Sequence, residues 1–249
     1  GNQGVRRLDT EFILLLNPDT ELLSRVEPLV DLCENDSSVA AAAGALVDVA
    51  GQHYQQGFSI RNLPKPVTLI FETLGLNRIW PGNPLNRRYR RIGWDASQEA
   101  TVEQPAGAFF LFRKSIWKQL GGFDERFFPI WFEDVDFCKR IYDAHCTIRY
   151  LPAVKAAHRG GHSASQLEKS DKFQFWYVSL LRYAEKHFSK PSFRLLCAVI
   201  GLRAATSGIV EIIRCAAHAG RGPRIPLRMA VAGLMWGRFP QDLITRRDY

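Results

Sequence analysis

Two acidic motifs dominate the chemistry this sequence could perform. Asn17-Pro18-Asp19 stands where the apolar run Phe12-Ile13-Leu14-Leu15-Leu16 stops, and Trp131-Phe132-Glu133-Asp134-Val135-Asp136 opens a helix-like stretch. A carboxylate at the end of a buried strand sits at the mouth of an α/β sheet, where ligands bind. Asp19 is the metal-ligand candidate, because magnesium and manganese favour oxygen donors and often bind through one or two carboxylates plus substrate phosphates. Asn17 offers an amide oxygen beside it, although Asn-Pro-Asp is also a common turn signal. Glu133, Asp134 and Asp136 crowd three carboxylates into four positions. On a helix Glu133 and Asp136 share a face and Asp134 points elsewhere. An ionised carboxylate there can take a proton from an attacking hydroxyl within hydrogen-bond reach. Phe128, Trp131 and Phe132 around them suggest a partly closed cleft. His158, in His-Arg-Gly-Gly-His-Ser, follows a strand-like run and is a second metal-ligand candidate, with His162 as its alternative.

The elements that must position these groups read as α/β. Phe12 to Leu16 reads as a strand buried on both faces, Val39 to Val47 as another, and Gly107 to Phe112 as a third. Ser24-x-x-Glu27 has the form of a capping box before Val26, Leu29, Val30 and Cys33 at helical spacing. A short helix from Ser115 to Leu120 is stopped by Gly121-Gly122. Val135, Cys138, Ile141 and Tyr142 continue the acidic motif as a helix, and Thr147 to Leu151 and Ala153 to Ala157 read as two short strands. Residues 48–104 read as a long irregular region holding a basic group of Arg87, Arg88, Arg90 and Arg91, which could meet a phosphate or an acidic acceptor. Beyond Ser163 the pattern is helical, with Phe173, Trp176, Tyr177, Leu180, Leu181 and Ala184 on one stripe. A boundary is expected near residue 164, dividing an α/β part (1–164) from a helical tail (165–249).

A chain of 249 residues can bury a full core, and a net charge of +8 suits phosphate-bearing ligands, nucleic acid or an anionic membrane, or is simply a solvated basic surface. The five cysteines are scattered and never form a C-x-x-C pair, which indicates neither a disulfide framework nor a zinc site. A reducing compartment is the simpler reading.

The motifs in order resemble the family 2 glycosyltransferases, above all their rhamnosyltransferase-type branch. The set comprises Leu15 to Thr20, Gly107-Ala108, Gly121-Gly122-Phe123-Asp124-Glu125, Phe127-Phe128, Trp131 to Asp136, His158, Arg182-Tyr183 and Lys186-His187. The resemblance implies a partial GT-A fold: a Rossmann-like mixed sheet flanked by helices, with a C-terminal helical tail. It implies an inverting transferase that moves a sugar, rhamnose favoured, from a nucleotide-diphosphate sugar to a glycan or lipid-linked acceptor hydroxyl. On that reading Asp134 is the catalytic base and Glu133 its neighbour. Asn17, Gly107, Ala108, Trp131 and Asp136 line the donor and acceptor sites, and Asp19 and His158 hold Mg2+ or Mn2+. Such a protein is expected in the cytoplasm, peripheral at the inner face of the plasma membrane, with no nucleic-acid partner. Apolar segments such as Leu195 to Leu202 and Met229 to Trp236, interleaved with arginines, suit an anionic interface, or packing on the core or on a partner subunit. Gly1-Asn2-Gln3-Gly4 resembles the segment just before the metal strand in that family. A preceding nucleotide-binding portion is therefore expected, and without it the chain is expected to dissolve poorly and to bind nucleotide weakly. Two other classes fit the carboxylates: a metal-dependent phosphoryl-transfer or hydrolytic enzyme, and a non-catalytic membrane-associated remnant.

Overall fold

The structure is a computed structural model that describes residues 1–160 and 169–217. Its centre is a mixed sheet in the order β1-β7-β3-β8-β2, with β5 pairing β8 as well. The strands are β1 (Phe12–Leu16), β2 (Thr20–Leu22), β3 (Val39–Val47), β5 (Ala100–Val102), β7 (Phe109–Arg113) and β8 (Thr147–His158). Strands β4 (Ile60–Arg61) and β6 (Gln104–Pro105) form a separate ribbon. Among the described strands only β3 and β8 run parallel, while β1 with β7, β3 with β7, and β2 and β5 with β8 are antiparallel.

β3 is the centre of the core, and every one of its nine residues is buried. Its alanines and Gly44 let neighbouring layers approach closely. A Cβ at Gly44 would stand 2.3 Å from Phe109 Cε1 and 2.4 Å from the Val154 carbonyl oxygen. At this point the register of β3 on β8 jumps from Gly44↔Leu151 to Ala45↔Lys155. The two short strands expected over 147–157 are therefore one strand of 12 residues, bulged around Pro152.

The apolar run of β1 suggests burial on both faces, but the strand lies at the sheet edge and only Ile13 is buried. Phe12, Leu14 and Leu15 are only partly buried, packed against the core clusters, and Leu16 is 40% exposed. The capping box expected at Ser24 is absent as well. The Ser24 hydroxyl accepts the Lys155 backbone N–H at 2.7 Å, tying the loop to β8, and α2 (Glu27–Glu34) begins without a side-chain cap. Ahead of β1 comes a short helix, α1 (Asn2–Arg7). Asn2 pins it by a reciprocal pair: its amide donates to the Phe123 carbonyl at 2.7 Å and accepts the Phe123 N–H at 2.8 Å.

The region read as irregular folds into α3 (Pro66–Leu74), α4 (Leu76–Ile79) and α5 (Pro84–Tyr89). Proline opens α3 and α5, and Gly75 at φ 72° closes α3 in the left-handed conformation. Two of its four arginines are used internally. Arg90 pairs with Glu72 at 2.9 Å, and the Arg91 guanidinium lies 3.9 Å from the centre of the Trp94 ring.

α6 (Lys114–Gln119) ends at Gly121 and Gly122, both at positive φ, and α7 (Glu133–Asp143) carries the second acidic motif. Beyond the expected boundary at 164, which lies outside the described residues, α8 (Lys169–His187) and α9 (Lys190–Ala217) follow. α8 buries Tyr177, Leu180, Leu181, Tyr183 and Ala184 against Phe127, Phe132 and Val135. α9 buries Leu196 and Ile200 in the same cluster, leaving Leu195 and Leu202 exposed. No described helix is long and apolar enough to cross a membrane. Phe173, whose side chain is not described, and Met229 to Trp236 fall outside these statements.

Candidate functional site

The two acidic motifs meet at one dipeptide. The Gly107 N–H donates to Asp134 Oδ2 at 2.9 Å, and the next carbonyl, of Ala108, accepts the Asn17 N–H at 3.1 Å. Gly107-Ala108 thus bonds the second motif with one residue and the first motif with the next. Glycine lets this contact form closely, because a Cβ at position 107 would stand 3.1 Å from Asp134 Cβ and 3.3 Å from its Oδ2, and the neighbour would have to give by a few tenths of an ångström. Ala108 is 3% exposed, so its contribution here is its backbone.

Asn17 to Thr20 form a turn closed by the Thr20 N–H on the Asn17 carbonyl at 3.0 Å. The chain then enters β2, which pairs Thr20 with His158 at the end of β8. The Arg159 N–H donates to the Asp19 carbonyl at 3.1 Å, locking the two strand ends together. Asp19 Oδ1 consequently lies 3.6 Å from His158 Nε2, with both side chains nearly buried. Burial lowers the His158 pKa, opposed by the Asp19 charge, which favours the neutral ring. His162 lies outside the described residues.

A carboxylate and a neutral imidazole nitrogen at this separation suit one divalent cation. Among the described residues no group of three or more His, Cys, Asp or Glu could hold a metal. Asp19 and His158 bring two such groups together.

Asp134 presents its carboxylate to dipoles. Oδ1 accepts the Val135 N–H at 2.8 Å and Oδ2 accepts that of Gly107. An ionised carboxylate has about four acceptor positions, which leaves room for a substrate hydroxyl. Glu133 differs from it. Its Oε2 is buried without a hydrogen-bond partner among the described residues, and burial, reinforced by the neighbouring Asp134 charge, pushes its pKa well above the usual carboxylate range. The segment before the pair is strained: Trp131 and Phe132 both lie in the left-handed region, at φ 71° and 69°. Bulky residues there cost about 1–3 kcal/mol each and persist only where surrounding packing imposes them. Here Phe132 packs on Tyr183 of α8 and Ser179 of α8 donates to the Ile130 carbonyl at 3.0 Å. Trp131 is half-buried at the edge of that cluster.

Asp136, expected at the donor and acceptor sites, is placed apart from the Gly107-Ala108 bridge. It is fully buried and bonded to Arg140 Nε at 2.9 Å, Lys186 Nζ at 2.8 Å and His187 Nε2 at 2.7 Å. Burial alone would raise its pKa, but His187, Lys186 and Arg140 together hold it below the usual value. Two residues, about half a helical turn, separate this closed network from the carboxylate of Asp134.

Sequence reasoning missed Gln55 and Phe58. Phe58 stacks on the His158 ring with centroids 5.1 Å apart and planes 8° apart, and Gln55 Oε1 lies 2.9 Å from His158 Nδ1. Both sit in the stretch read as irregular, and no periodicity or motif marks them.

No family profile matches the chain. Curated relatives do. An N-acetylglucosaminyl-diphospho-decaprenol L-rhamnosyltransferase of Mycobacterium tuberculosis is 29% identical over 157 residues, which are 63% of this chain and 49% of the relative. The rhamnosyltransferase WbbL of Escherichia coli K12 is 28% identical over 182 residues, 72% of this chain and 63% of that protein. This chain resembles rhamnosyltransferases. It spans about half the length of the mycobacterial relative it matches. Among solved structures, a mannosyltransferase of Pyrobaculum calidifontis with GDP-Man and Mn2+ superposes with a TM-score of 0.41 at 14% identity, covering 96% of this chain and 59% of that one.

Proposed function

We propose that this chain carries the acceptor-activating and metal-binding part of an inverting glycosyltransferase. Its donor is a nucleotide-diphosphate sugar, rhamnose favoured by the relatives, and its acceptor is a hydroxyl of a glycan or lipid-linked sugar. The observation that carries the reading is the Gly107-Ala108 dipeptide, whose backbone bonds Asp134 on one side and the Asn17-Pro18-Asp19 turn on the other.

The chemistry is a single displacement. Asp134 takes the proton of the acceptor hydroxyl, whose oxygen forms a bond to the anomeric carbon. The bond from that carbon to the diphosphate oxygen breaks, and its electron pair leaves with the diphosphate. Gly107 and Val135 hold the carboxylate in place through their N–H groups without neutralising it. Asp19 and His158 would hold Mg2+ or Mn2+, which when bound offsets charge on the departing diphosphate. Phe58 and Gln55 keep the His158 ring in position.

The test is acceptor-dependent release of nucleoside diphosphate from a nucleotide-diphosphate rhamnose. Asp134→Asn should retain donor binding while transfer falls about 10²–10⁴-fold, because shape is kept and proton acceptance is lost. Asp19→Ala should abolish transfer together with its divalent-ion dependence. Wild-type transfer by Asp134→Asn overturns the assignment of the base. Diphosphate release that ignores the acceptor favours a hydrolytic enzyme instead.

A further inference from the structure

A neutral imidazole has one nitrogen that donates and one that accepts, and only the second can bind a metal. Which nitrogen of His158 faces Asp19 as an acceptor is decided by Gln55. Its amide nitrogen donates to two backbone carbonyls, those of Val47 and of His158 itself. Carbonyls only accept, so the amide nitrogen must point at them and Oε1 must point at the ring. Oε1 lies 2.9 Å from Nδ1, and an amide oxygen cannot donate. Nδ1 therefore carries the hydrogen, and the lone pair falls on Nε2, 3.6 Å from Asp19 Oδ1. The Gln55 backbone is fixed in turn by its N–H on the Leu46 carbonyl at 2.9 Å, and Phe58 holds the plane of the ring.

We propose that Gln55 is a positioning residue that locks His158 in the Nδ1–H tautomer and so presents the Nε2 lone pair, beside Asp19, to a divalent cation. If the acceptor at Nδ1 is lost, the Asp19 carboxylate becomes the better partner for the ring proton. The proton then moves to Nε2 and occupies the position of the metal bond. The inference rests on the metal reading of Asp19 and His158, but its first test needs neither metal nor sugar transfer.

That test is long-range proton–nitrogen correlation on the metal-free, ¹⁵N-labelled chain in mildly alkaline buffer, which distinguishes a protonated ring nitrogen from a bare one. The wild type should show His158 protonated at Nδ1. Gln55→Leu should move the proton to Nε2, and the Mn2+ concentration needed to broaden the His158 ring signals should rise about 10–100-fold. Gln55→Glu should restore both properties, because a carboxylate still accepts from Nδ1 although it cannot donate to the two carbonyls. A purely structural glutamine predicts the reverse, with no rescue by Glu. Protonation at Nε2 in the wild type overturns the proposal without any variant. So does a Gln55→Leu protein that answers Mn2+ as the wild type does. A wild-type Nδ1–H ring that never responds to Mn2+ overturns the cation half and the metal reading beneath it.

Discussion

Asp134 and Asp136 stand two residues apart on one helix, yet the two regions they belong to are built on opposite terms. At the mouth, Asp134 is held by the Gly107 and Val135 N–H groups, and Asp19 lies beside His158, whose burial favours the neutral ring. In the clamp beneath, Asp136 is buried among Arg140, Lys186 and His187, and Asp124 pairs with Arg126 and Lys186. Dipoles position a carboxylate and leave its charge available, whereas cations consume it. Each carboxylate's partner, more than its burial, separates chemistry from architecture along α7.

The clamp offers the largest effect by which to break this contrast. Removing one member of a buried ion-pair network strands the others, at about 3–5 kcal/mol. Asp136→Ala should lower unfolding stability by that amount in denaturant titration, since Arg140, Lys186 and His187 lose a shared partner. The clamp also has a pH sign. The folded pKa values of Asp124 and Asp136 are depressed, so their stabilisation is present above the unfolded carboxylate value and is lost as pH falls through the folded one. An Asp136→Ala protein with unchanged stability at neutral pH would show that the network is ornamental.

Glu133 should titrate in the opposite direction. Its folded pKa is raised, by burial first and by Asp134 second, from 4.5 to about 7. The proton it keeps in the folded state stabilises fully below the unfolded value, and that contribution is lost as pH rises through the folded one. Glu133→Gln removes this titration. A tenfold difference in proton affinity between the folded and unfolded chain is worth roughly 1.4 kcal/mol. The variant should therefore match the wild type at acid pH and exceed it by up to about 3 kcal/mol in mildly alkaline buffer. Equal stability of the two proteins across the whole pH range would mean that Glu133 is solvated.

The contrast was only half legible in the sequence. Asp19, Asp134 and His158 stood out as candidates because strand ends, helix starts and aromatic flanks are local signals. The split between Asp134 and Asp136 was not local. It depends on Lys186 and His187, 50 and 51 residues further along, brought in by the packing of α8. The strands β3 and β7 were readable from apolar runs. The bulge at Pro152 was not, because it depends on which strand lies alongside. Gln55 was invisible for a related reason: its partners are a strand end 103 residues away and the carbonyl of Val47.

The smallest effect sharpens the comparison most, because it touches the mouth alone. Gly107→Ala introduces a Cβ 3.1 Å from Asp134 Cβ, so α7 or the turn that carries Gly107 must give by a few tenths of an ångström. Overpacking of this kind costs about 1–3 kcal/mol. The displacement lengthens the one bond that joins Gly107 to Asp134, so transfer should fall by more than the stability loss alone accounts for. Combining Gly107→Ala with Asp136→Ala then asks whether the mouth and the clamp are separate devices. Independent sites add within about 0.3–0.5 kcal/mol. Additive unfolding energies would show that α7 carries two unconnected functions on one turn. A coupling well beyond that margin would show that the clamp, through the rigid helix, sets the position of the carboxylate at the mouth.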